Sequence, residues 1–221
     1  MRYRRIGFIG DIHAEDELLE RALQILQGRG VELLAATGDI ADGAGSVDRC
    51  CELLARHRVL VVRGNHDRWL VKGQARDLPQ ATRAETLTAE TLDLLRQLPE
   101  MVELETVAGT ALLCHGLGPN DMAKVTPDDF GYALESNDEL QDLLRGGRYR
   151  WVLNGHSHRR MVRQFGPLTI VNAGTLSRRD HEPGFLEIDF QTATAIVYRF
   201  VGGHPAVVSE AELALEAASC P

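Results

Sequence analysis

The 221-residue sequence contains no apolar run of about eighteen residues, so no segment has the length of a membrane-spanning helix. Its basic start, Met1 to Arg5, is followed only by Ile6 to Gly10 before Asp11, too short for the apolar region of a secretory leader. A cytoplasmic location and no membrane partner are therefore expected. Cysteine is sparse: Cys50, Cys51, Cys114 and Cys220 have no zinc-knuckle spacing, and the adjacent Cys50 and Cys51 would bridge only with strain. Reduced thiols follow. Net positive charge is also missing; the formal value of −8 excludes non-specific attraction to nucleic acid as the main role. Aromatics make up only 5%, which leaves few candidates for stacking on a base. Neither internal repeats nor low-complexity tracts occur.

What remains is ordinary globular material, with 44% hydrophobic and 25% charged residues. A single domain over residues 1–221 is expected, large enough to bury a substantial core. Strands and helices alternate in the first third. Arg5 to Gly10 reads as a short buried strand. Glu15 to Gln27 carries Leu18, Leu19, Ala22, Leu23 and Leu26 at helical spacing and ends at Gly28 and Gly30. Leu33 to Thr37 is a second strand, Val47 to Arg56 a helix, and Val59 to Val62 a third strand. This βαβαβ order predicts a largely parallel sheet, whose strand ends gather ligands.

Further on, Leu112 to His115, Trp151 to Asn154, Leu168 to Asn172, Gly184 to Phe190 and Ala195 to Phe200 read as strands, with a helix near Asp138 to Leu144. They are expected to form a second, mixed sheet packed on the first. Segments 68–85 and 117–136 are irregular and polar, a length that suggests a pocket rim.

Five of the eight histidines fall in a series of short motifs at these strand ends. The motifs are Asp11-Ile12-His13, Gly38-Asp39, Gly64-Asn65-His66-Asp67, His115 before Gly116, and Gly155-His156-Ser157-His158. His57, His181 and His204 have no such context. Each motif offers oxygen or imidazole donors of the kind that hold transition metals, and mixed N/O sets disfavour magnesium or calcium alone. Alternation in an extended Asp11-Ile12-His13 segment would put both donors on one side. Asp39 can bridge two ions through its two oxygens. The pattern is that of a two-metal hydrolytic site.

In order and type these blocks resemble the calcineurin-like metallophosphoesterase superfamily, whose series is DxH, GDxxD, GNHD/E, a later His, and GHxH. The resemblance covers residues 11–158 and points to its small bacterial phosphodiesterase or phosphatase type. It implies an α/β four-layer αββα sandwich, with two mixed sheets flanked by helices. It further implies Asp11, His13, Asp39 and His158 on one metal ion, and Asp39, Asn65, His115 and His156 on the other. Two divalent or mixed-valence ions, Mn, Fe or Zn, are the expected cofactors. The implied reaction is hydrolysis of a phosphomonoester or phosphodiester, on a small or nucleotide-like substrate, by a metal-activated hydroxide. His66 would protonate the leaving oxygen.

Several roles stay open on the residues alone. Asp67 is positioned to hydrogen-bond the His66 ring and share its catalytic role. Asp42 either orients a metal ligand or His66 from behind, or caps the helix at Val47. Arg63, like Asn65, could bind substrate, or it is a solvated strand-end charge. Trp69, Phe130 and Tyr132 either stack on a base or pack locally. Arg178 and Arg179 follow Asn172-Ala173-Gly174-Thr175, which resembles an Asn-Pro-Gly-Ser turn with Ala and Thr substituted. Arg63-Gly64-Asn65-His66 also resembles serine/threonine phosphoprotein phosphatases. However, Ile40-Ala41-Asp42-Gly43 lacks their Asp-Arg-Gly, and Ala14 stands where they have Gly. A catalytically silent interaction scaffold is the third alternative. Homo-oligomerisation is left open.

Overall fold

A computed structural model describes residues 1–180, 182–206 and 208–215; His181 and Cys220 lie outside them. Two mixed sheets face each other. The first contains β1 (Arg5–Ile9), β2 (Leu33–Ala36), β3 (Leu60–Val61), β9 (Gly184–Asp189), β10 (Thr194–Phe200) and β11 (Val208–Ala214). Its order is β11-β10-β9-β1-β2-β3. The second contains β4 (Met101–Thr106), β5 (Gly109–Cys114), β6 (Trp151–Asn154), β7 (Met161–Phe165) and β8 (Leu168–Asn172), in the order β4-β5-β6-β8-β7.

Alternation along the strands divides the apolar residues into layers. Ile6 and Phe8 of β1, Ala35 of β2, Ala111 and Leu113 of β5, and Trp151 and Leu153 of β6 share the core between the sheets. Their neighbours face outward. Ile9, Leu34 and Ala36 pack against α1 (Asp16–Gly28) and α2 (Val47–Arg56), while Leu112, Cys114 and Val152 pack with Leu140 of α6 (Asp138–Gly146). The result is the expected four-layer sandwich. The five periodic residues of α1 are all buried. Each buried leucine contributes about 1.5–3 kcal/mol relative to exposure.

The parallel run β1-β2-β3 matches the sequence reading. Placement of the later strands differs. Gly184–Asp189 and Thr194–Phe200 join the first sheet, not the second, because β9 pairs antiparallel with β1 in the register Arg5↔Asp189. The crossing is made at residues 173–176: Asp11 N–H donates to the Gly174 carbonyl, and Leu176 N–H to the Asp11 carbonyl. Segment 68–85 is also less irregular than expected. Its start belongs to α3 (Asn65–Lys72), and α4 (Ala89–Gln97) follows it. Within 117–136, only the single turn α5 (Tyr132–Glu135) is helical. No helix among the described residues is long and apolar enough to cross a membrane.

Candidate metal centre and active site

The five motifs converge where the sequence order places them, at the carboxyl ends of β1, β2, β3, β5 and β6. The local backbone is not extended there. His13, Asp39, Asp42, His156 and His158 all have positive φ, between 45° and 67°. Such conformations cost about 1–3 kcal/mol each and persist where the surroundings enforce them. So Asp11 and His13 do not share a face by strand alternation. Instead His13 turns left-handed at φ 48°, with its N–H donating to the Asp39 carbonyl at 2.7 Å. Two glycines make room for the carboxylates. A Cβ on Gly64 would lie 2.1 Å from an Asp39 oxygen, and one on Gly155 would lie 2.1 Å from an Asp11 oxygen.

One donor from each of Asp11, His13, Asp39 and His158 falls within 4.8 Å of all the others. The His13 Nδ1–H donates to the Asp42 carbonyl at 3.0 Å, which leaves Nε2 as a bare lone pair. His158 Nδ1 lies 3.1 Å from Asp180, which frees its Nε2 in the same way. These two bare nitrogens face each other at 2.9 Å, with Asp11 Oδ2 3.3 Å from His158 and Asp39 Oδ2 3.8 Å from His13. Four electron-rich atoms aimed at one point repel unless a cation lies among them. The donor set therefore fits a transition-metal ion.

The second cluster has the same logic. His115 Nδ1–H donates to the Thr37 carbonyl at 2.8 Å, and its Nε2 faces Asn65 Oδ1 at 2.8 Å and Asp39 Oδ2 at 3.3 Å. His156 Nδ1 faces the same Asn65 oxygen at 2.9 Å. Asp39 Oδ2 thus borders both clusters. Burial opposes charge on His115, yet Asp39 and Asp11 outweigh it and raise its pKa to about 10. That is the signature of a negative potential seeking a cation. Burial lowers the pKa of His13 and of His156, which keeps both imidazoles neutral, as metal ligands must be. Asp39 is desolvated by full burial, but His115 and His13 hold its carboxyl below the ordinary range.

His66 is not among the donors of either cluster, although its ring lies edge-on to His13 with centroids 4.9 Å apart and its backbone N–H donates to Asp39 Oδ1 at 2.8 Å. Its Nδ1 lies 2.7 Å from Asp42 Oδ2, while Arg76 grips the same carboxylate with two hydrogen bonds of 2.8 and 2.9 Å. Burial would lower the His66 pKa, but the bond to Asp42 and the charge of Asp39 raise it. Asp67 does not touch the His66 ring. Its buried carboxylate accepts the N–H groups of Ile40, Ala41 and Gly64, fastening the Gly38–Asp42 loop to the start of α3. Burial and the charge of Asp39 raise its pKa to about 7. Nor does Asp42 cap α2; Ser46 does, accepting from the Arg49 N–H.

Arg63 is ion-paired with Glu100 at 2.6 Å and lines a small cavity with His115 and Arg68, away from the main cleft. Trp69 packs on His66 with ring centroids 4.8 Å apart, whereas Phe130 and Tyr132 are 80% and 81% exposed. The main cleft, of about 650 Å³, is lined by His13, His66, His158, Leu78, Pro79 and Arg179 among others. Three supporting residues escaped the sequence reading: Thr37, whose hydroxyl donates to Asp11 at 2.9 Å, Arg76 and Asp180. Thr37 adjoins the Gly38-Asp39 motif, a usable cue. Arg76 and Asp180 carry no local signal, since their partners are 34 and 22 residues away.

Comparison with known proteins bears on the fold and the family. An uncharacterized protein of Methanocaldococcus jannaschii is 27% identical over 160 residues, which is 69% of this chain and 62% of the relative. The chain thus spans less than two thirds of that relative's length. Among solved structures, a metallophosphoesterase from Sphaerobacter thermophilus superposes with a TM-score of 0.64 at 20% identity, covering 90% of this chain and 88% of its own. Yfce, a phosphoesterase from E. coli, gives 0.56 at 17% identity, covering 96% and 100%. At such identities these structures speak for the fold alone. The profile of the calcineurin-like phosphoesterase superfamily domain, however, matches residues 5–193, and the chain belongs to that superfamily.

Proposed function

We propose that the protein is a dinuclear metal-dependent phosphoesterase, hydrolysing the phosphomonoester or phosphodiester bond of a small or nucleotide-like substrate. The observation that carries this is the position of Asp39 Oδ2, which borders both donor clusters, 3.8 Å from His13 Nε2 and 3.3 Å from His115 Nε2. Asp11, His13, Asp39 and His158 would hold one ion; Asp39, Asn65, His115 and His156 the other. Mn, Fe or Zn suits these donors. Bound ions supply a positive site for the phosphoryl oxygens and a water of lowered pKa.

The chain's own side chains do the rest. The carbonyls of Asp42 and Thr37 fix the tautomers of His13 and His115, so that each presents a lone pair. Thr37 and the His156 N–H hold the Asp11 carboxylate. Asp42 takes one ring nitrogen of His66 and leaves Nε2 to give its proton to the departing oxygen. Arg76 keeps Asp42 ionised and in place. The assay is metal-reconstituted protein on para-nitrophenyl phosphate, its bis ester, nucleotides and phosphopeptides, run with each metal. Turnover of the nitrophenyl and nucleotide esters is expected. Turnover of phosphopeptides alone would mark a phosphoprotein phosphatase, and no turnover with two metals bound would mark a scaffold.

A further inference from the structure

Every charged side chain lining the main cleft has a hydrogen-bond or ion-pair partner among the described residues, with one exception. Arg178 is held by Glu15 at 3.2 Å and by Glu17 at 2.7 Å. Asp180 faces His158, and Asp42 faces His66 and Arg76. Asp16 accepts the Ser46 N–H. Arg179 also lines the cleft, its backbone N–H held by Ser177 Oγ at 3.3 Å, and its guanidinium has no partner among the described residues. A guanidinium with no partner, in a wall where every other charged side chain is engaged, is the cation left for a ligand to meet.

Its location says which part of a substrate would meet it. His66 lines the same cleft, and its Nδ1 is taken by Asp42, so Nε2 is the nitrogen open to a ligand. The group that receives the His66 proton is the leaving group, so the leaving half of the substrate occupies this space. At about 650 Å³ the cleft is in the range of small-molecule pockets, roughly 300–1,000 Å³, and far exceeds what a phosphoryl group needs. Ala44, Leu78 and Pro79 give it an apolar surface beside Arg179.

We propose that this cleft is the leaving-group pocket and that Arg179 recognises an anionic substituent, a carboxylate or a second phosphate, on the departing half. The inference rests on the hydrolytic reading above and narrows its substrate class. Water adds to phosphorus, the ester oxygen leaves with the His66 proton, and the departing alcohol keeps its anion on Arg179.

The test uses two matched substrate pairs and the full-length, metal-loaded protein. One pair is 4-nitrophenyl phosphate and its 3-carboxy derivative; the other is adenosine 3′-phosphate and adenosine 3′,5′-bisphosphate. The wild type should prefer the charged member of at least one pair in kcat/KM, and the pair identifies the anion. Arg179→Ala should lower that preference about tenfold, the worth of one charge-assisted hydrogen bond, and Arg179→Lys should keep part of it. Calorimetric titration with the released groups, 5-hydroxy-2-nitrobenzoate or adenosine 5′-phosphate, should show the same loss. Turnover without a charge preference, or a preference unchanged in Arg179→Ala, overturns the inference. Arg179-dependent binding of the released groups without turnover of any ester would sustain the pocket and overturn the hydrolytic reading instead.

Discussion

At His66, one ring nitrogen is engaged by Asp42, and the residue is not among the donors of the first cluster. Proton delivery and metal holding are therefore assigned to different side chains and can be separated by mutation. His66→Ala should leave metal content near normal and lower kcat roughly 10²- to 10⁴-fold. Nitrophenyl esters, which leave without a proton, should lose less than nucleoside esters. Loss of a metal, or equal losses on both ester types, would show that His66 does something else. Asp42 gives a pH test. Because its carboxylate raises the His66 pKa, His66 stays protonated to higher pH, and activity should fall only as pH rises through that raised value. Asp42→Asn removes the support, so the alkaline limb of the rate profile should move to lower pH. An unmoved limb would detach Asp42 from the proton donor.

The elements that hold these residues are bent by design at their carboxyl ends. Gly155 follows β6, and a methyl group there would press on Asp11 Oδ1 at 2.1 Å and on Thr37 Oγ1 at 2.5 Å. Gly155→Ala should thus displace one carboxylate. Metal analysis should show weakened binding of the ion assigned to Asp11, with circular dichroism unchanged; full retention of both ions would contradict the crowding argument.

The motifs were legible because strand ends are marked by Gly-Asp, Gly-Asn and Gly-His pairs, and the parallel half because its strands are continuous apolar runs. Sheet membership of β9 was not legible. Leu186 and Ile188 look the same whether they face the inter-sheet core from one sheet or the other, and the choice is made by hydrogen bonds to β1 across 184 residues of sequence (Arg5↔Asp189). The edge strands β4 and β11 were missed: most of β11 is solvated, which erases apolar alternation, whereas β4 does alternate, with Leu104 and Thr106 buried between exposed Glu103 and Glu105, a signal the sequence reading passed over. At the site, both Asp67 and Asp42 were open as partners of His66, and the fold chooses Asp42. Asp67 is adjacent in sequence, but helix α3 turns its carboxylate under the Gly38–Asp42 loop, and the loop returns Asp42 to the ring.

For the whole molecule, three apolar clusters, one between the sheets and one outside each, should hold the fold without any ion. Chelator-stripped protein should still unfold cooperatively, and metal should raise the midpoint by binding the native state alone. A disordered apo spectrum would mean that the metals organise the fold. In the proposed reading the acidic molecule, at −8, binds an anionic ester because the bound ions would make a local electropositive point. That point depends on one carboxylate. Metal analysis of reconstituted wild-type protein and of Asp39→Asn tests this most directly. The wild type should carry two ions per chain, and Asp39→Asn should bind both weakly and lose turnover. Two tightly held ions in Asp39→Asn would contradict the shared site.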